Sequence, residues 1–173
     1  MKAITTILLI TGLFLLTACT SAPEGITPVK NFDLEQYKGK WYEIARLDHS
    51  FEEGMEQVTA TYTVNDDGTV KVLNKGFITK EQKWDEAEGL AKFVEGTDTG
   101  HFKVSFFGPF YGAYVIFEVD QDDYQYAFIT SYNRDFLWFL SRTPTVSDKL
   151  KQHFIAKANK LGFATEQIIW VKQ

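Results

Sequence analysis

The chain of 173 residues carries a single thiol, Cys19. It closes the run Leu16-Thr17-Ala18-Cys19, behind an apolar stretch from Ile4 to Leu16 that Lys2 precedes. A positive start, a short apolar run and small residues before the cysteine form a cleavable export signal, too short to span a bilayer. On these residues alone, Cys19 is a site of modification at the processing point, an incidental residue of an ordinary signal, or part of an uncleaved anchor. Other chemistry has little to build on. His49, His101 and His153 lie far apart without metal-ligand spacing and read as surface or hydrogen-bonded side chains, so no metal and no cofactor is expected. There is no Gly-x-Ser-x-Gly elbow and no Gly-x-x-x-x-Gly-Lys loop. Glu43 and Glu118 are candidate buried acids. Glu52-Glu53 and Asp120 to Asp123 fall at predicted turns and read as solvated faces.

Removing residues 1–18 leaves 155 residues, enough for one domain with a sizeable core. Lys2 leaves with the signal, so the net charge of −5 becomes about −6, which disfavours nucleic acid as a partner. With one cysteine there is no disulfide framework, although export implies an oxidising compartment. Residues 20–31 contain two prolines, a glycine and small polar groups, the composition of a flexible spacer. Three segments follow: a signal over 1–18, a modified N-terminus and tether over 19–31, and a folded domain over 32–173.

From Lys40 to Arg142 apolar residues recur with period two between turn signals such as Asn65-Asp66-Asp67-Gly68 and Gly108-Pro109. Strands are predicted near 40–49, 57–65, 69–78, 84–95, 101–107, 112–120, 124–132 and 136–142, an all-β, eight-stranded antiparallel up-and-down barrel able to hold one ligand. After Pro144 the spacing of Val146, Leu150, Phe154, Ala158 and Leu161 predicts one amphipathic helix, with Gly162 as its stop. Ile168 to Val171 reads as a last short strand.

Strands 57–65 and 101–107 alternate cleanly and have one wet face, whereas the three from 112 to 142 are apolar on both faces. Their outer face needs a cover, and the C-terminal helix is the free amphipathic element to supply it. Parity on the clean strands turns Tyr62, Val72, Ala91, Phe93, Phe102, Val104 and Phe106 inward, with Asn74 as an isolated polar group among them. Tyr114 and Trp138 are further candidates whose two-faced strands leave their direction open. With 15 phenylalanines in the chain, either this interior is filled solidly or it lines an apolar cavity. Phe107, Phe110 and Tyr111 around Gly108-Pro109 form an exposed patch, either a homodimer contact or a membrane-facing rim.

Leu16-Thr17-Ala18-Cys19 resembles the lipobox of bacterial lipoproteins. The resemblance implies diacylglycerol on the Cys19 thiol, removal of the preceding peptide and acylation, as by palmitate, of the freed amine. Thr20, where an aspartate would favour retention in the inner membrane, points to the outer membrane. Asn31 to Arg46 carries Gly39-Lys40-Trp41-Tyr42, which resembles the lipocalin signature. Eight strands, Ser131-Tyr132-Asn133, Arg142 and the helix follow in the family's order, although the central motif there often reads Thr-Asp-Tyr. Trp41-Tyr42-Glu43-Ile44-Ala45-Arg46 and Leu137 to Pro144 are similar to the lipoprotein lipocalins of bacterial outer membranes, relatives of apolipoprotein D. The resemblance covers residues 1–173 and implies that Trp41 plugs one end of the barrel with Arg142 stacked on it, a structural role.

These readings imply a protein, not an enzyme, anchored in the cell outer membrane through Cys19 with its barrel in the periplasm. It is expected to bind and store or transport amphiphilic lipids, lysophospholipids or fatty acids, through Tyr62, Asn74, Phe93, Phe102, Phe106, Tyr114 and Trp138. Two alternatives stay open. One is a lipid-modifying enzyme using a buried acid such as Glu43 or Glu118; the other is a structural envelope protein with a filled barrel.

Overall fold

Eight antiparallel strands close on themselves in the computed structural model, which describes residues 20–173; the expected export signal over 1–18 and Cys19 lie outside the described residues. A one-turn helix, α1 (Leu34–Tyr37), leads into β1 (Gly39–Leu47), β2 (Met55–Val64), β3 (Val70–Ile78), β4 (Lys83–Phe93), β5 (His101–Ser105), β6 (Gly112–Val119), β7 (Tyr126–Thr130) and β8 (Leu137–Ser141). Each strand pairs with the next, and β1 joins both β2 and β8, so the barrel has no free edge over that height. A helix, α2 (Asp148–Lys160), a short 3-10 turn and β9 (Ile168–Trp170) complete the chain. Among the described residues no helix is long and apolar enough to cross a membrane.

The final strand closes a gap that the barrel leaves. β2 pairs with β1 only over Gly39 to Tyr42, because a bulge between Glu56 and Thr59 bends it away, with Gln57 at φ 52°. β9 takes the vacated edge of β1 from Ala45 to Leu47, and the Gln57 amide donates to the Lys172 carbonyl at 2.6 Å.

Two apolar clusters share the barrel wall. The inner one includes Trp41, Tyr62, Val72, Phe102, Ile116 and Ile129; the outer one joins Val115, Phe117, Phe128 and Phe139 to Phe154 and Ala158 of α2. The helix therefore covers the two-faced strands, with the Phe154 ring 4.9 Å from those of both Phe128 and Phe139. Local signals fix its ends. Ser147 caps the first turn by accepting from the Leu150 amide, Lys157 and Lys160 lie in the last turn, and Gly162 takes φ 83° just beyond it.

Residues 20–31 depart from the predicted flexible spacer. Ile26 is buried in the outer cluster, the Val29 amide donates to Ile116 O at 2.9 Å, and the Gly100 amide donates to Val29 O at 2.9 Å. Arg134 Nη2 donates to Glu24 O at 2.6 Å, and His101 Nε2 lies 2.8 Å from Thr20 O. Pro23 and Gly25 set a turn closed by the Ile26 amide donating to Pro23 O at 3.0 Å, while Ile26 and Val29 supply apolar anchors. The close approach needs Gly100, where a Cβ would stand 2.7 Å from Val29 Cγ2. The segment is a strap packed on the barrel.

Candidate ligand site inside the barrel

One end of the barrel is sealed. Trp41 is fully buried and its indole N–H donates to Tyr37 O at 2.7 Å. The Arg142 guanidinium lies 3.9 Å from the Trp41 ring centroid and donates to the carbonyls of Gln36, Tyr37 and Lys38 through Nη2, and of Lys40 through Nη1. Its Nε reaches Tyr124 O at 3.2 Å. A one-turn helix cannot satisfy its last carbonyls internally, and Arg142 supplies the missing donors. Gly39 takes φ 96°, and a Cβ there would lie 3.5 Å from Arg142 Nη1.

Above this seal Tyr62, Phe102 and Tyr114 line a small void with Leu34, Tyr37, Val70, Ala91 and Val104. Its volume, about 10 Å³, is the room of at most one water. Tyr114 OH sits 2.7 Å from both Tyr37 OH and Tyr62 OH, a chain of three phenols in an apolar wall. Burial pushes all three hydroxyls above the usual tyrosine range, so they stay neutral hydrogen-bonding groups.

The other four expected site residues also face inward but stand away from the void. Phe93 packs against Phe102 in a tilted contact, ring centroids 4.2 Å apart, and meets Phe32 toward the sealed end. Phe106 fills the space over Gly89, where a Cβ would come within 2.9 Å of its ring. Asn74 sits between Ala60 and Ala87 across the wall. Trp138 belongs to a polar cluster nearer the mouth.

That cluster depends on a second bulge. β1 loses register against β8 between Glu43 and Ala45, so Glu43 and Arg46, which strict alternation would place on opposite faces, both point inward. Arg46 Nη1 donates to Glu43 Oε1 at 2.9 Å, and Nη2 donates to the carbonyls of Glu52 at 2.7 Å and Met55 at 3.3 Å. The β1–β2 connection, residues 48–54, folds back so that Glu52 Oε2 accepts from Trp138 Nε1 at 3.0 Å. His49 Nε2 lies 3.2 Å from the same oxygen but out of hydrogen-bond alignment, and Arg46 Nε is likewise buried without a hydrogen-bond partner. The His49 ring packs against Phe51, Phe136 and Trp138. Burial, reinforced by the Glu52 charge, pushes Glu43 well above the usual carboxylate range despite Arg46. Burial also pushes on Glu52, but His49, the Trp138 N–H and Arg46 outweigh it and hold that carboxyl below its usual value.

Two acid placements differ from the sequence reading. Glu52 is drawn into the barrel while its neighbour Glu53 remains exposed, so the pair is not a common solvated face. Glu118 lies outside the barrel, because a bulge between Ile116 and Glu118 reverses the parity of β6. There it holds α2 through His153 and through Lys157 Nζ at 2.9 Å. Sequence reasoning missed Leu34 and Tyr37 as lining residues because they lie on α1, ahead of the strands, and missed the inward turn of Arg46 because nothing in period two marks a bulge. Phe107 and Phe110, on the β5–β6 loop, are 75% and 79% exposed.

Comparison with known proteins agrees with this geometry. Residues 32–173 match the family model described as a lipocalin-like domain. The chain is 52% identical over 159 residues to the outer membrane lipoprotein Blc of Vibrio cholerae, covering 92% of this chain and 93% of that protein. It is 48% identical over 165 residues to the Escherichia coli K12 protein of the same name, covering 94% and 93%. Rat apolipoprotein D is more distant, 32% identical over 137 residues, covering 76% and 69%. Among solved structures, insecticyanin from Manduca sexta superposes with a TM-score of 0.68 at 21% identity over 88% of this chain and 86% of that one, a likeness of fold. The close relatives also share the lipid-anchored outer-membrane location that their name states. With a closed eight-stranded barrel, an arginine stacked over the tryptophan of its sealed end and a helix packed outside, the chain belongs to the lipocalin family.

Proposed function

We propose that this lipocalin holds a single-chain amphiphile, a lysophospholipid or a fatty acid, in its barrel and stores it or carries it within the cell envelope. Members of the family bind small hydrophobic ligands. The observation that carries the reading is the inner wall: apolar and aromatic at Phe102, Val104 and Ala91, with the phenol hydroxyls of Tyr62 and Tyr114 in the same wall and the Glu43–Arg46 pair nearer the mouth. Such a gradient suits a molecule with an acyl tail and a polar head. In this reading Cys19 carries the acyl anchor and the barrel stands in the periplasm. Asn74, Phe93, Phe106 and Trp138 join Tyr62, Phe102 and Tyr114 as ligand contacts once the wall opens around a chain.

A second reading, a structural protein with a filled barrel, draws on the small void of about 10 Å³. Native mass spectrometry separates the two. The domain lacking residues 1–18, with Cys19→Ser, is expected to retain one oleoyl lysophospholipid per barrel. A folded domain that retains no acyl ligand overturns the carrier reading and leaves the filled barrel.

A further inference from the structure

The void above the seal has room for about one water, so an acyl chain cannot occupy that part of the barrel until something moves. The group best placed to leave is at the mouth. Glu52 lies on the β1–β2 connection, outside every strand, yet its side chain is only 12% exposed. Its carboxylate is seated on the Trp138 indole N–H at 3.0 Å, with His49 Nε2 at 3.2 Å and the buried Arg46 guanidinium holding the Glu52 carbonyl. The seat comes from three parts of the chain, β8, β1 and the connection itself. It also contains unspent donor capacity, since Arg46 Nε, 3.7 Å from Asp48 Oδ1, and the N–H of the His49 ring are buried without hydrogen-bond partners. A buried donor left unpaired is costly, and a carboxylate or phosphate monoanion is the chemistry that satisfies an N–H donor, an imidazole and a guanidinium together.

We infer that the Glu52 carboxylate is a built-in stand-in for the anionic head of the ligand, occupying its seat on the Trp138 N–H, beside His49 and Arg46, until the ligand's own carboxylate or phosphate displaces it and the β1–β2 connection lifts. The inference rests on the amphiphile reading above and adds the sign of the head group and the residue that competes with it. An incoming anion replaces Glu52 on the same donors, so the exchange conserves charge in the mouth. A cationic head would leave those donors unpaired, and a neutral one would satisfy fewer of them. Release of Glu52 also frees the ring contacts of His49 and Phe51 with Phe136, which join this connection to the β7–β8 loop across the mouth.

The test uses the domain lacking residues 1–18 with Cys19→Ser, and three probes sharing an oleoyl chain: oleate, oleoyl lysophosphatidylglycerol and neutral monoolein. Glu52→Gln keeps the shape of the side chain and removes its charge. It is expected to tighten an anionic probe about tenfold while changing monoolein less than about twofold. Trp138→Phe removes the donor and is expected to weaken the same anionic probe about tenfold relative to monoolein. A gain shared by oleate and the lysophospholipid assigns the seat to either anion; a gain confined to one names carboxylate or phosphate as the source. Equal tightening of all three probes by Glu52→Gln shows a lid without anion recognition and overturns the inference, leaving the carrier reading intact. Unchanged affinity for both anionic probes in the two variants, each shown folded by circular dichroism, also overturns it. Loss of all binding in the unsubstituted domain is the separate failure of the carrier reading, and the inference falls with it.

Discussion

Arg46 Nη1 donates to Glu43 Oε1 at 2.9 Å across the bulge of β1, and both side chains are almost wholly withdrawn from solvent, at 2% and 3% exposure. Removing one member of such a pair costs far more than replacing both, because the survivor is left buried without its partner and must either stay charged in a medium that solvates it poorly or give up its charge at a cost. Arg46→Met is therefore expected to lower stability by about 3–5 kcal/mol in urea unfolding, and Glu43→Met with Arg46→Met to recover a large part of that loss. A single variant as stable as the parent would contradict this account.

The Arg142 seal is sensitive to shape as well as charge. A lysine keeps the positive charge but cannot span the carbonyls of residues 36 to 40 and lie flat over Trp41. Arg142→Lys should cost about 2 kcal/mol, measured by urea titration, with the loss persisting in high salt because hydrogen bonds and stacking dominate over a screened surface charge.

Room inside the barrel can be removed from one small residue. Ala91 is buried and lines the void, so Ala91→Trp places an indole where an acyl chain would run. The expected outcome is at least tenfold weaker retention of oleoyl lysophospholipid in native mass spectrometry, at a stability cost of about 1–3 kcal/mol from overpacking. Undiminished retention would move the ligand away from this part of the wall.

Acid should loosen the helix from the barrel. Burial pushes Glu118 up, but Lys157 and His153 outweigh it and hold its carboxyl below the usual carboxylate range. A carboxylate whose folded value is depressed contributes stability above its unfolded value, about 4.3, and loses it as pH falls through the folded one. Amide hydrogen exchange in α2 should therefore accelerate below about pH 4 relative to the barrel strands, with the carboxylate contributing about 1 kcal/mol at neutral pH. In Glu118→Gln the acid-dependent step should shrink. An equal step in parent and variant would place the acid sensitivity elsewhere.

Chain order was legible in the sequence because turns and period-two runs are local. Strand number, the helix after Pro144 and its docking on the two-faced strands all follow from which side chains need burial. What escaped is the set of places where a strand gains one residue. Arg46 turns inward and Glu118 outward through bulges that no composition marks, since their register depends on neighbouring strands far away in sequence. The strap escaped for a related reason. Prolines and glycine in residues 20–31 read as freedom, but Ile26 and Val29 find partners beside Gly100 that become visible once β4, β5 and β6 are assembled.

The strap alters what an anchor at Cys19 would do mechanically. Thr20 O sits 2.8 Å from His101 Nε2 on the flank of the barrel, and Cys19 precedes Thr20 by one Cα step of about 3.8 Å. With acyl chains on that cysteine, the domain would not roam a hemisphere at the end of a leash. It would be moored by its side, with β5 turned toward the lipid and the tilt of its mouth set by the strap. Transfer would then depend on a fixed bearing between mouth and bilayer, and loosening the mooring, as with Val29→Gly, would change exchange rates without touching the binding wall.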